Sequence, residues 1–382
     1  MSNGLKRVEG LYNDRGQRAR ELKTEGRGII GYLCTFTPVE LITAAGLVPF
    51  RITGGRQETI TMAGPHLETI ACPLTRSMLD VALKDGYEFF DGFVMPHACD
   101  NIVKLYDIWS QNVEHAYGHF VNVPHTTSKS SRAFFEKELN LFKLSLERFT
   151  EKMITDAALE EAIRSHNEQR ALMQQVYDFR KKDQPLVSGS EAMKIAVAVL
   201  SLPVDEANEL LKSVISEIKN RTIEKKKTNG ARLMIHGSGI DNTSFIELIE
   251  EAGADVVVDD YCFGTRTFFL DVQITEDHIA SLAKTYLEDI NCPRTYRQSP
   301  GTHSEDLDNR FGHIGKLASD FNVKGVIFHI MQYCDTHAFD VPDVKEYVEG
   351  KGLPVLNIEE DYPISSLARL KTRVEAFLET IE

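Results

Sequence analysis

Short apolar runs alternate with amphipathic stretches between residues 28 and 123, and the alternation resumes at residue 231. Gly28-Ile-Ile-Gly-Tyr-Leu-Cys34 predicts a strand. Thr37-Pro-Val-Glu-Leu-Ile-Thr-Ala-Ala-Gly46 predicts a helix, with Thr37 as N-cap, Pro38 at the first helical position and Gly46 as its stop. Residues 47–52 predict a second strand, 76–86 a helix, 93–95 a third strand, 101–109 a helix and 119–123 a fourth strand; 56–72 is an irregular excursion. These strands are largely apolar, the pattern of parallel strands covered on both faces.

The later stretch repeats the pattern. Residues 231–236 predict a strand, Gly237-Ser-Gly239 a turn, 245–253 a helix, and 254–259, 325–330 and 354–358 further strands. Glu40-Leu-Ile-Thr-Ala-Ala-Gly46 aligns without a gap with Glu247-Leu-Ile-Glu-Glu-Ala-Gly253, each lying between a first and a second strand. The chain therefore reads as an internal duplication. The fold expected is α/β, two similar Rossmann-like lobes with four-stranded parallel sheets joined by long helices. Phe135, Leu139, Phe142, Leu146 and Phe149 recur at helical spacing within the joining region. The divisions expected are an N-terminal helical arm at 1–27, a first lobe at 28–130, a helical connection at 131–225 and a second lobe at 226–382. The run Glu224-Lys-Lys-Lys-Thr-Asn-Gly230 reads as a solvated linker.

The duplication also locates candidate chemistry. Gly325-Val-Ile-Phe-His-Ile-Met-Gln-Tyr-Cys334-Asp335 and Gly92-Phe-Val-Met-Pro-His-Ala-Cys99-Asp100 are apolar runs that each end in Cys-Asp. Open α/β sheets bind ligands at that carboxyl edge. Cys72, in Ala-Cys72-Pro-Leu-Thr-Arg, follows the excursion before the helix that leads to the Cys99 strand. Cys72, Cys99 and Cys334 are taken together as one site, and soft thiolates favour an iron–sulfur cluster over a hard ion. The spacings match no ferredoxin pattern. No C-x-x-C, H-E-x-x-H or G-x-x-x-x-G-K-[ST] occurs, and Gly237-Ser-Gly239 lacks the full dinucleotide fingerprint.

Composition narrows the class. The 382 residues suffice for two or three domains, and a net charge of −14 argues against nucleic acid or an anionic membrane as partner. The polar start lacks a signal-peptide core and no apolar run reaches 18 residues, so a cytoplasmic protein with free thiols is expected.

Taken in order, Cys72-Pro-Leu-Thr-Arg, Pro96-His-Ala-Cys99-Asp-Asn, Asp259-Asp-Tyr-Cys262-Phe-Gly-Thr-Arg266, Gln332-Tyr-Cys334-Asp-Thr, Glu360-Asp-Tyr362 and Thr372-Arg-Val-Glu-Ala-Phe377 form a set. The set resembles the 2-hydroxyacyl-CoA dehydratase and benzoyl-CoA reductase family, over residue 28 to the C-terminus. The resemblance implies a cluster-bearing subunit of two α/β lobes, with a 4Fe–4S cluster held by Cys72, Cys99 and Cys334. It implies a partner that is a homologous cluster-bearing subunit or a second copy. It also implies a separate ATP-hydrolysing iron–sulfur activator that injects one low-potential electron, and a CoA thioester beside the cluster. A dehydratase then eliminates water through a ketyl radical; a reductase delivers electrons to an aromatic ring. The motifs around Cys99 and Cys262 lean towards the benzoyl-CoA reductase type. The alternatives are a 2-hydroxyacyl-CoA dehydratase subunit, a double-cubane reductase of small molecules and a non-catalytic electron-transfer subunit.

Double-cubane relatives hold a larger cluster with more cysteines, and Cys262 and Cys292 are candidates for it, against a core or cleft-lining role. Cys34 is expected to be a buried thiol whose change to serine is neutral. His97, His125, His329 and His337 are possible acid–base groups, with His329 expected as a satisfied core histidine. Arg266 is expected to meet a CoA phosphate or to pair with Asp259 or Asp260. No catalytic residue is assigned.

Overall fold

The computed structural model describes residues 3–55, 59–222, 230–299, 301–362 and 367–381. Eight strands form two sheets: β1 (Ile29–Tyr32), β2 (Val48–Arg51), β3 (Gly92–Pro96) and β4 (Tyr117–Val121), then β5 (Arg232–Gly237), β6 (Asp255–Asp260), β7 (Gly325–Met331) and β8 (Val355–Glu360). Their orders are β2-β1-β3-β4 and β6-β5-β7-β8, and every pairing is parallel. The two sheets thus share one topology, as the repeated pattern predicts. The inner strands are buried throughout, which explains their unbroken apolar runs. β4 begins two residues before the predicted start, because Gly92 pairs with Tyr117 where a Cβ on Gly92 would meet the Tyr117 carbonyl. The run at 224–230 lies, but for Gly230, outside the described residues.

Two long helices, Lys129–Thr150 and Asp156–Asp178, form the predicted connection. Phe135, Leu139, Phe142 and Leu146 are fully buried, each side chain contributing about 1.5–3 kcal/mol relative to exposure. Phe149 lies at the edge of that core. Residues 270–290 follow β6 in sequence, yet Leu282, Tyr286, Leu287 and Ile290 pack with Ile30 and Phe36 of the first lobe and Phe142 of the connecting helix. The chain therefore crosses back to the first lobe just before Cys292, through a π-helical turn at Thr285–Asp289.

One predicted cap differs. The Thr37 hydroxyl donates to the Leu33 carbonyl at 2.6 Å, so Pro38 takes the N-cap position and the helix spans Val39–Ala44. Gly46 stops it with a left-handed φ of 79°, as expected. No helix among the described residues is long and apolar enough to cross a membrane.

Candidate functional site

Cys72, Cys99 and Cys334 each occupy the N-cap of a helix, namely Pro73–Leu83, Asp100–Asn112 and the short Asp335–Ala338. Pro73 at the first helical position sacrifices no hydrogen bond there. The capping position leaves first-turn amides near each sulfur, those of Leu74 and Thr75 for Cys72, Asn101 and Ile102 for Cys99 and His337 for Cys334, without a formed side-chain cap bond. Ser238 adds its hydroxyl to Cys334. Amide donors favour the thiolate, while burial opposes it. Burial wins in the metal-free chain, pushing Cys72 to about 12 and Cys99 to about 11, and raising Cys334. The negative form of each is further disfavoured by its neighbours: Cys334 and Cys99 act on Cys72, and Cys334 acts on Cys99. The three thiols predicted from sequence are therefore brought into one neighbourhood.

Gly237-Ser-Gly239 supports this site as a tight turn. Gly237 has a φ of 146°, and a Cβ there would lie 2.0 Å from the His329 carbonyl oxygen. Ser238 donates its amide to His329 at 2.9 Å and accepts from the Met331 amide at 3.0 Å. The turn is thus stitched to the strand that delivers Cys334.

The other three cysteines form a second group, which sequence reasoning missed as a unit. Cys34, with a left-handed φ of 59°, follows β1 and lies beside Cys262, which follows β6 and whose carbonyl accepts from the neighbouring Thr35. Cys292 acts on both. Cys262 is held down to about 5 by the Cys34 thiol, with Arg266 and Arg51 assisting against burial, and Cys34 is pushed well up. Burial raises Cys292 to about 12 despite Arg266. The Cys262 charge also acts on Cys334, which lies within electrostatic reach of the second group.

Local bonds hold this second group in place. Thr35 and Thr267 both donate to the Cys262 carbonyl, at 3.3 and 2.6 Å. Arg294 straps the Cys292 loop to the first lobe, donating to the carbonyls of His97, Ala98, Val123 and Pro124. Its guanidinium also stacks 4.8 Å from the Phe36 ring centre. Glu40, in the helix after Cys34, is fully buried between Arg170 and Tyr286, the latter in the π-helical turn before Cys292. Burial opposes the Glu40 charge, but Arg170 and His166 outweigh it and lower its pKa. A depressed carboxylate adds stability above the unfolded pKa of about 4.3, lost as pH falls through the lower folded value. Glu40→Gln is accordingly expected to flatten the acid limb of a stability-versus-pH curve below about pH 4. An unchanged limb would show that Glu40 is not the responsible group.

Successive strand residues face opposite ways, and this divides the two aspartates ending β6. Asp259 turns to Tyr177 and Arg180. Asp260 turns to Arg266, which grips it with two bonds of 2.9 and 3.0 Å, and accepts from His236 at 2.7 Å and His313 at 3.3 Å. Burial opposes its charge, yet Arg266 and the two histidines hold Asp260 well below the carboxylate range. Arg266 is thus engaged by Asp260 and also donates to the Gly237 carbonyl. These groups line a cavity of about 430 Å³ with Cys292, His125 and Arg294.

The histidines separate by environment. His97 contacts Asn122 and the His125 ring rather than a cysteine. His329 is buried, as expected, but it is not satisfied: neither ring nitrogen has a hydrogen-bond partner, because β7 is covered on both faces. Burial keeps it neutral, with a pKa of about 4. His337 contacts Arg266 through Nε2, and burial beside that cation lowers its pKa well below the ordinary value.

Among the described residues, no three His, Cys, Asp or Glu side chains are arranged to hold a single metal ion. A cluster makes a different demand, with thiolate sulfurs roughly 6–7 Å apart around a body whose metal–sulfur bonds are about 2.3 Å. Two groups of mutually acting thiols, one furnished with amide donors, fit soft thiolate ligation of that kind.

Comparison with known proteins places the fold in context. A benzoyl-CoA reductase subunit of Thauera aromatica is 26% identical over 386 aligned residues, spanning 99% of this chain and 98% of that protein. The beta subunit of (R)-phenyllactyl-CoA dehydratase of Clostridium sporogenes is 24% identical, over 95% of this chain and 94% of its own. YjiM of Escherichia coli strain K12, whose name marks it as a suspected dehydratase subunit, is 30% identical over 94% of this chain and 93% of its own. The family model for 2-hydroxyglutaryl-CoA dehydratase, D-component, matches residues 34–381, and with the two parallel-sheet lobes already described, the chain belongs to that family.

Proposed function

We propose that this chain is the iron–sulfur subunit of a low-potential electron-transfer enzyme, with Cys72, Cys99 and Cys334 holding a 4Fe–4S cluster. The observation that supports the reading is that Cys72, Cys99 and Cys334 each stand at the N-cap of a helix, while Thr35, next to Cys34, bonds to the Cys262 carbonyl. Cys34, Cys262 and Cys292 supply a second group of three, which favours a double-cubane iron–sulfur cluster over a single cubane. When bound, such a group stores and passes electrons at low potential. The chain's own residues do the rest. First-turn amides and Ser238 stand near the sulfurs of the first group. Arg266, fixed by Asp260, stands beside Cys262 and Cys292. His236 and His313, on the same carboxylate, present ring nitrogens along the cavity wall, where a proton can be held close to a bound substrate.

The cavity is at the small end of ligand pockets and rich in hydrogen-bonding groups, which supports reduction of a small molecule. The second reading is a benzoyl-CoA reductase type of protein acting on a CoA thioester, favoured by the likeness to the Thauera aromatica reductase protein along 99% of the chain. Its close variant is a 2-hydroxyacyl-CoA dehydratase subunit. In each case the partner is a homologous subunit or a second copy, and a separate ATP-hydrolysing iron–sulfur activator supplies the electron.

The test is anaerobic reconstitution with iron and sulfide. We expect about eight iron atoms per chain, two cubanes' worth, rather than about four. Alone, the chain is expected to turn over no ATP. About four iron atoms would leave the single-cluster reading, and iron retained by a chain lacking all six thiols would refute both.

A further inference from the structure

The group formed by Cys34, Cys262 and Cys292 has a buried cationic neighbour that no carboxylate pairs with among the described residues. Arg51, the last residue of β2, is 2% exposed. Its guanidinium lies between two rings, 5.3 Å from the centre of Tyr32 and 4.8 Å from that of Phe263. Tyr32 precedes Cys34 by two residues and Phe263 follows Cys262, so this sandwich sets the cation beside both thiols, and its charge acts on both. Among the described residues no carboxylate pairs with it, and its Nε and Nη1 find no acceptor. The small cavity that Arg51 lines with Thr35 and Thr267, about 30 Å³, has room for a single water. A water satisfies an N–H but does not neutralise a buried charge.

The neighbouring arginines differ in that their N–H groups are satisfied, Arg266 also by a carboxylate. Arg266 is matched by Asp260, and Arg294 is bonded to four carbonyls at the entrance of the Cys292 loop. A buried cation without a carboxylate partner is unfavourable, and the Cys262 thiol, whose ionised form Arg51 favours, is an anion that the chain itself offers, so the retention of Arg51 points to negative charge at this thiol group.

We propose that Arg51 is the built-in counter-charge for an anionic metal–thiolate group held by Cys34, Cys262 and Cys292, donating through Nε and Nη1 and favouring that group's more reduced, more negative state. This rests on the six-thiol reading above. It makes Arg51 a positioning and tuning residue rather than a catalytic one. Charges and hydrogen bonds close to a cluster set its potential in this way.

The experiment uses the full chain, anaerobically loaded with iron and sulfide, as wild type, Arg51→Lys and Arg51→Met. Three quantities are read: iron per chain, the midpoint potential of each paramagnetic signal in a redox titration, and the unfolding temperature of the metal-free chain. In Arg51→Met one midpoint should move to more negative values while the other stays. The metal-free chain should change little in stability, because only the Cys262 thiol loses a favourable neighbour, while the loaded chain becomes clearly less stable. Arg51→Lys should keep the midpoint close to wild type. Should Arg51→Met fail to fold, Arg51→Gln, which keeps donors and drops the charge, carries the same test. Unchanged midpoints in the neutral variant, or equal loss of stability with and without metal, would overturn the inference by leaving a merely structural arginine. A wild-type chain holding one cubane's iron would instead overturn the six-thiol reading, and Arg51 as its counter-charge with it.

Discussion

Cys99→Ser is expected to abolish activity with the activator, by more than about 100-fold, and to remove the share of iron held by the first group. Even residues that merely support a metal ligand cost 10–100-fold when changed, and the ligand itself should cost more. Cys99 caps its helix, so a serine there keeps the cap and the fold while replacing a soft sulfur by a hard oxygen. Cys72→Ser and Cys334→Ser should behave alike. Cys34→Ser is the discriminating companion. Regarded as an isolated core thiol it should be neutral, but its place beside Cys262 predicts loss of the second group's iron while the first group's remains. Iron content and activity on the same preparations check this. Full iron in Cys99→Ser would remove that residue from the site.

Asp259→Ala is expected to destabilise the chain by about 3–5 kcal/mol, the cost of leaving a buried charge without its partner. Arg180 is 0% exposed, and its Nη1 lies 3.2 Å from the Asp259 carboxylate. Tyr177 donates to the same carboxylate at 2.7 Å, and the Thr265 amide at 3.1 Å. Three elements therefore converge on this side chain immediately behind the Cys262 loop. A shift of the urea midpoint corresponding to less than about 1 kcal/mol, the scale of an exposed pair, would contradict the assignment.

Much of this architecture is legible in the sequence because parallel strands covered on both faces must be apolar throughout, and a duplicated chain writes that pattern twice. The Cys-Asp strand ends are legible for the same reason: a thiol at the carboxyl end of a buried strand stands where α/β sheets bind ligands. Cys292 is not legible in that way. It follows no strand and reaches Cys34 only because residues 270–290 cross back onto the first lobe, a tertiary event driven by apolar packing with no local signature. Asp260 and Arg266 are visible as a motif, but whether the arginine faced a phosphate or a carboxylate depended on which face of β6 each aspartate took. Thr37 illustrates the smaller errors. Its type and place suit an N-cap, yet the Leu33 carbonyl offers its hydroxyl a closer partner.

The central claim is that six cysteines from both lobes hold iron together, in two groups of three. Iron anomalous scattering from a crystal of the anaerobically prepared chain tests it most directly. The account predicts two adjacent iron bodies, one bonded to Cys72, Cys99 and Cys334 and the other to Cys34, Cys262 and Cys292, with Arg51 against the second. Iron confined to one group would contradict the six-thiol array, and iron bonded to neither group would contradict the account as a whole.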